Sequence, residues 1–290
     1  MMIIALFANM NKSDAYGVAR EMRDFLQARG ATVVARDEES AALQVAPLSS
    51  VDPKKLGALI SLGGDGTILR LVHHYPHLEA PILGVNLGHL GFMADVPLAE
   101  IYPCLKDLLE GKYRIENRLM LEGSTGGKSS FALNDVVVHR GQNKRLIDLS
   151  IHIDGIYVNT FSADGLIFST ANGSTAYSLS AGGPILTPEL DAFVITPINP
   201  HTISNRPIVF MPKESIEVQY LSAYDPIEVT FDGFSAHTLA TNETVKLFRS
   251  KRSCRMVSLD RINYFWTLRT KLGWAGQVRY NGSTKSDSTL

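Results

Sequence analysis

The hydrophobic period of this chain changes once, and that change limits the possible folds more than any other feature. Through residue 113, short apolar runs alternate with segments whose apolar residues recur at the i, i+3, i+4, i+7 spacing of a helical face; from residue 114 they alternate with a period of 2. In the first region residues 3–8 predict a strand. Ala15, Val18, Ala19, Met22, Phe25 and Leu26 then share one helical face, with Ser13 as N-cap and Gly30 as the stop. Further strands are expected at 32–35, 59–62 and 81–86, and helices over 68–75 and 98–109, the last ended by Gly111. Pro103 lies inside that last segment and must kink the helix or mark its true start. Repeated strand–helix units imply a doubly wound parallel sheet with helices on both faces and ligands at the carboxyl ends of its strands.

The second region is expected to be all-β. Ile147, Leu149, Ile151 and Ile153 alternate with Asp148, Ser150 and His152, and Asp154-Gly155 offers a type I′ hairpin turn into a strand from Ile156. Similar runs follow at 208–211, 216–220, 227–231 and 244–248. The fold class expected is therefore α/β. A doubly wound parallel-sheet domain covers 1–113, a second, sandwich-like all-β domain covers 114–254, and a C-terminal helix within 255–275 returns to the first domain. The polar residues 281–290 are expected to be a disordered tail. At 290 residues with ordinary apolar content, the chain can bury two cores.

Composition removes several functions. A formal net charge of −1, with scattered basic residues, gives no general field for nucleic acid or an anionic membrane. Two cysteines, Cys104 and Cys254, sit far apart among apolar neighbours, which favours buried thiols in a reducing compartment over a disulfide or a zinc site. No run of about 18 apolar residues occurs. Residues 1–7 lack a basic n-region and a cleavage site, and so read as a first strand. A cytoplasmic protein with no nucleic-acid or membrane partner is expected.

Gly63-Gly64-Asp65-Gly66-Thr67 joins the 59–62 strand to the next helix. Its glycines permit φ > 0 and close approach of backbone N–H groups, and the helix N-terminus adds partial positive charge, so Gly63, Gly64, Gly66 and Thr67 are candidates for holding phosphate. Asp65 would repel that phosphate and makes better sense as a catalytic base or metal contact beside it. The bland alternative is an ordinary tight turn with Thr67 capping the helix. Residues 123–129 approach a P-loop but are one residue short and lie between strand-like flanks, which favours a polar hairpin turn. Residues 164–184 run from an apolar strand through a small polar turn into a short helix, where Ser174, Thr175, Ala176 and Ser178 leave room for a ligand and Tyr177 offers a stacking face.

The glycine turn is shared by phosphofructokinases, diacylglycerol kinases and NAD kinases. With Gly84-Val85-Asn86-Leu87-Gly88, the Asn134-Asp135 pair and residues 164–184 following in order, most of residues 1–275 resembles the NAD kinase family. The resemblance implies ATP-dependent phosphorylation of the 2′-hydroxyl of the adenosine ribose of NAD, giving NADP. It puts the catalytic aspartate on Asp65 and dinucleotide contacts on Asp65, Gly66, Asn134 and Asp135. The adenine and ribose pocket falls on Asp164, Thr175, Ala176, Tyr177, Ser178, Leu179 and Ser180, with Arg70 and Arg145 as basic residues near the ligand. It also implies Mg²⁺ carried with ATP by phosphates and water, without a protein metal cage, and a homo-oligomer, dimer or tetramer, whose β domains meet near the dinucleotide.

Two departures stand out. The family's Thr-Pro-Thr-Gly reads Thr170-Ala171-Asn172-Gly173, and Ser162 stands where many bacterial members carry arginine, which bears on the choice between NAD and NADH. Two other readings of the same residues are a lipid or diacylglycerol-type kinase, disfavoured by the lack of a membrane-docking segment, and a non-catalytic dinucleotide sensor, disfavoured by Asp65.

Overall fold

A computed structural model describes residues 2–9, 14–88, 90–202, 204–211, 215–274, 279–280 and 283–284. The chain divides into two compact units: Met1–Leu71, Ile82–Arg114 and Val257–Leu290 form the first, and Val72–Pro81 and Ile115–Met256 the second.

In the first unit, β1 (Ile3–Ala8), β2 (Thr32–Ala35), β3 (Ala46–Pro47), β4 (Leu56–Gly63) and β5 (Ile82–Asn86) form a parallel sheet in the order β3-β2-β1-β4-β5. The chain moves outward in one direction from β1 and in the other from β4, so the carboxyl ends of these two strands frame the crevice where such sheets take ligands. The glycine turn leaves β4 at that point. Helices α1 (Ala15–Gln27), α2 (Asp37–Leu43), α3 (Asp65–His74) and α4 (Ile101–Leu109) accompany the sheet. Met22, Leu26, Leu43, Cys104, Leu105 and Leu108 pack from the helices onto Ile4, Leu6, Ile60 and Leu83, and Val257 and Leu259 complete the same core.

Two local readings change, and the expected cap Ser13 lies outside the described residues. Helix α2 was not expected; seven residues are too few for a periodic signal, and its three acidic first-turn residues, Asp37, Glu38 and Glu39, suit the positive helix end. Pro103 falls in the first turn of α4, where its missing N–H breaks no helical bond, so it marks the start and the segment from Leu98 is a 3₁₀ turn.

The second unit is a pair of antiparallel layers. Its strands are β6 (Arg114–Thr125), β7 (Lys128–Ala132), β8 (Asp135–His139), β9 (Ile147–Ile153), β10 (Ile156–Ala163), β11 (Gly165–Thr170), β12 (Phe193–Ile198), β13 (Ile208–Phe210), β14 (Ile216–Tyr220), β15 (Ile227–Phe231), β16 (Ser235–Leu239) and β17 (Thr244–Ser258), with one helical turn, α5 (Tyr177–Ser180). One layer runs β13-β12-β11-β8-β15-β16; the other contains β10-β9-β14-β17, with β6 and β7 continuing from β17. Val136, Val138, Leu166, Phe168 and Phe231 of the first layer meet Leu121, Leu149, Ile151, Phe161 and Val218 of the second in one core. The P-loop-like stretch is a hairpin, with Gly126 and Gly127 both at positive φ between β6 and β7. Asp154-Gly155 likewise has positive φ at both positions and turns β9 into β10.

The C-terminal helix α6 (Tyr264–Leu272) belongs to the first unit and is capped by Asn263, whose side chain accepts from the amides of Phe265 and Trp266. Of residues 281–290, only Ser283–Thr284 is described, paired with Arg279–Tyr280; the rest of the expected disordered tail lies outside the described residues. Both cysteines are unbridged and buried, and burial pushes each thiol up to about 12.

Candidate functional site

The glycine turn does not use its glycines as the sequence suggests. None of Gly63, Gly64 and Gly66 adopts positive φ. Gly63 is required by crowding, since a Cβ there would stand 2.2 Å from Thr67 Oγ1, whereas Gly64 and Gly66 border open space. Thr67 turns inward, 7% exposed, and its amide is spent on Gly64 O at 2.8 Å. Gly64 and Gly66 are thus the open positions of the turn, and Arg70 is exposed one helical turn further on.

Asp65 opens α3 and is half-buried under the chain that follows β5. Its Oδ1 accepts from Met93 N at 3.0 Å and Ala94 N at 2.8 Å, and its Oδ2 from Phe92 N at 2.9 Å. Gly91 is needed for this wrap, because a Cβ there would lie 2.1 Å from Asp65 Oδ1. Asn86, at the end of β5, holds the other side of the loop by donating to Ala94 O, and its Oδ1 accepts from Gly88 N. A carboxylate offers about four lone-pair positions. Three are used here, which leaves one on Oδ2.

In the second unit the chain brings residues 133–135 and 170–173 together. Thr170 Oγ1 donates to Leu133 O at 2.7 Å, Thr170 N donates to Asn134 O at 2.9 Å, and Gly173 passes so close that a Cβ would lie 2.1 Å from Asn134 O. Asn172 Nδ2 donates to Asn134 Oδ1 at 2.7 Å. With its oxygen engaged, Asn134 presents its Nδ2 as the group that can donate to a ligand. Beside it Asp135 is 7% exposed; burial, with the Asp232 charge adding to it, raises its carboxyl to about 7. Thr175, Ala176 and Leu179 are half-buried, and Tyr177 and Ser180 are exposed. Ser178 differs: it is fully buried and hydrogen-bonded to Thr196 Oγ1 at 2.8 Å, so its hydroxyl faces the fold.

Asp164 and Arg145 are not part of that cluster. Asp164 precedes the first residue of β11 and Thr170 ends it, and six residues of strand separate the two ends by on the order of 20 Å. At its own end Asp164 pairs with Arg140 Nε at 2.6 Å and accepts from Asn199 Nδ2 at 3.0 Å. Arg145 is exposed, with its guanidinium over the Tyr224 ring at 5.6 Å. The sequence reading put Asp164 and residues 175–180 in one pocket; within the unit, β11 keeps them apart.

Two residues that hold the cluster, Asp232 directly and His73 through it, escaped the sequence reading. Asp232 accepts from the amides of Leu133, Asn134 and Asp135 at 2.7, 2.8 and 3.0 Å, and its Oδ2 lies 2.8 Å from His73 Nε2. In sequence Asp232-Gly233 signals only a hairpin turn, which it also forms, both residues having positive φ. Among the described residues no group of three or more His, Cys, Asp or Glu side chains is placed to cage a metal ion.

Comparison with known proteins converges on one family. Residues 4–113 match the ATP-NAD kinase N-terminal domain, and residues 133–259 the ATP-NAD kinase C-terminal domain. The chain is 56% identical over 278 residues to an NAD kinase of Protochlamydia amoebophila, covering 96% of this chain and 100% of that one. It is 40% identical to an NAD kinase of Geotalea daltonii, covering 93% and 98%. Two solved structures share the fold: yeast NADH kinase complexed with NADH, with a TM-score of 0.82 at 23% identity covering 96% of this chain and 89% of that one, and an NAD kinase from Archaeoglobus fulgidus in complex with ATP, with a TM-score of 0.74 at 24% identity covering 95% and 100%. The matched domains span most of the sequence and the curated relatives nearly all of it, so the chain belongs to the NAD kinase family.

Proposed function

We propose that this chain transfers the γ-phosphoryl group of ATP to the 2′-hydroxyl of the adenosine ribose of NAD. The observation that carries the reading is the pair of clasped turns, 133–135 and 170–173, which fixes the Asn134 amide and the Asp135 carboxyl, with the exposed ring of Tyr177 four residues beyond the clasp in sequence. Asn134 Nδ2 donates to the nucleoside, Asp135 accepts from its hydroxyls, and Tyr177 stacks on the base. The ribose oxygen attacks the γ-phosphorus as the bond to the β-phosphate oxygen breaks, ADP leaves, and the hydroxyl proton passes to Asp65 Oδ2. A base in that position is worth ~10²–10⁴-fold in rate. The open amides at Gly64 and Gly66, at the start of α3, suit the transferred phosphate. With three lone pairs of Asp65 on amides and the fourth given to the hydroxyl proton, Mg²⁺ would be held by the phosphates and water. When bound, that ion neutralises charge on the phosphate oxygens.

We assign the reaction to the cytoplasm, consistent with two buried unbridged thiols; no described helix is long and apolar enough to cross a membrane. A homo-oligomer is part of the proposal. β10 ends its layer and exposes Ile156 (71%) and Tyr157 (56%), an edge that a second copy would cover. Asp164 and Arg145, distant from Asn134 within one chain, would then lie near the subunit boundary. The deciding experiment is NADP formation by the purified chain with ATP and then polyphosphate, on NAD and on NADH. NADP from NAD and ATP supports the proposal; binding without product would favour a sensor, and phosphorylation of diacylglycerol in place of NAD a lipid kinase.

A further inference from the structure

Residues 133–135 curl around a side chain from elsewhere in the second unit. Three successive backbone amides point at one carboxylate, Asp232, whose side chain has no solvent exposure. Consecutive N–H groups converging in this way form a nest that needs an anion at its centre. Asp232 supplies it, and its own amide returns to Asp135 O at 3.0 Å, which closes the contact in both directions.

The anion is itself held. His73 Nε2 meets Asp232 Oδ2 at 2.8 Å and, facing an ionised carboxylate, carries the proton. The imidazole lies between the rings of Phe131 and Phe234, with centroids 4.7 and 4.6 Å away and planes within 12° and 18° of parallel. That sandwich leaves the ring little freedom to swing and aims its N–H at one place. All four lone-pair positions of Asp232 are thereby occupied, two on Oδ1 by Asn134 and Asp135 and two on Oδ2 by Leu133 and His73.

We propose that His73 and Asp232 are positioning residues for the dinucleotide: together they fix the backbone of 133–135 so that Asn134 and Asp135 face the ligand. The pair touches no substrate atom. It acts by setting the direction of two side chains that do, and the inference rests on the assignment of Asn134 and Asp135 to the dinucleotide.

The test is steady-state kinetics of the full chain, with NAD and ATP varied in turn. His73→Phe keeps an aromatic ring in the stack and removes the N–H. It is expected to raise the KM for NAD about tenfold, the worth of one hydrogen bond to a buried charge, with kcat and the KM for ATP within about twofold. Asp232→Asn replaces one of the two accepting oxygens by an NH₂ group, which leaves at least one of the three amides without an acceptor, and is expected to act in the same direction more strongly. Asn134→Ala is the reference, and His73→Phe combined with Asn134→Ala should raise the KM for NAD no further than Asn134→Ala alone. If Asn134→Ala raises the KM for NAD and His73→Phe does not, the positioning role is overturned. Equal losses for both substrates in His73→Phe, tracking a lower melting temperature, would also overturn it in favour of a merely structural pair. If Asn134→Ala itself leaves the KM for NAD unchanged, the underlying site assignment fails instead. Should Asp232→Asn not fold, His73→Phe decides alone.

Discussion

Asp65 in the first unit and Asp232 in the second are built alike, each a carboxylate that gathers three consecutive backbone amides, from 92–94 and from 133–135. What separates them is the fourth position. Asp232 fills it with His73 and is sealed from solvent, whereas Asp65 is half-buried with one lone pair of Oδ2 unspent. The same device therefore serves two ends: a saturated carboxylate can only hold chain, and an unsaturated one can hold chain and also meet a substrate proton. Asp65 is more than the catalytic base or metal contact that the sequence suggests, because it organises its own loop.

The largest effect should come from Asp65→Asn, which removes the acceptor for the hydroxyl proton. We expect kcat to fall by ~10²–10⁴-fold with NAD affinity, read by titration calorimetry, within a few-fold. Near-normal turnover would leave Asp65 with only the role that Asp232 plays. Asp232→Asn breaks the comparison from the other side. Losing a fully buried, paired charge should cost about 3 kcal/mol in denaturant unfolding, against about 1–2 kcal/mol for the partly exposed Asp65→Asn. Equal costs would mean that the fourth position does not distinguish the two sites.

Tyr177→Ala, which removes the exposed ring proposed to stack on the base, should weaken NAD binding by ~1–3 kcal/mol through the lost stacking face and leave kcat little changed. A smaller, pH-dependent effect belongs to Asp135, raised to about 7 by burial first and then by the Asp232 charge. Because the folded state holds this proton more tightly than the unfolded chain, whose carboxyl titrates near about 3.9, the associated stability is full at low pH and is lost as pH rises through 7. Asp135→Asn should therefore gain stability relative to the parent on going from pH 5 to pH 8; urea midpoints that shift together at both pH values would contradict this. The smallest effect is expected at Lys128, exposed in the hairpin between β6 and β7. Lys128→Ala should leave kcat within about twofold, and a hundredfold loss (about 2.7 kcal/mol) would move the phosphate site away from the glycine turn.

What the sequence made legible were features whose cause is local. The hairpins at 126–127 and 154–155 were readable because their dipeptides encode the backbone angles they adopt, and the glycine turn because a strand, glycines and a helix follow one another directly. Its inner working was not readable. Gly63 answers to Thr67, and Asp65 to amides 27 to 29 residues later, so a count of glycines suggested φ > 0 where the structure has none. Asp232 was further out of reach, since the amides it gathers lie 97 to 99 residues earlier and no short spacing records them. Asn172 was visible only as a departure from the family pattern; its bond to Asn134 needed the fold.

Gly173 carries a consequence for anyone altering what this enzyme accepts. With its Cα against Asn134 O, and Thr170 and Asn172 bonded to the same turn, the two loops have no slack between them. Even a methyl group at 173 would shift 134, so the two turns cannot be redesigned one at a time. On the proposed site, room for new specificity lies at the exposed positions Tyr177 and Ser180, where a changed side chain leaves the clasp intact.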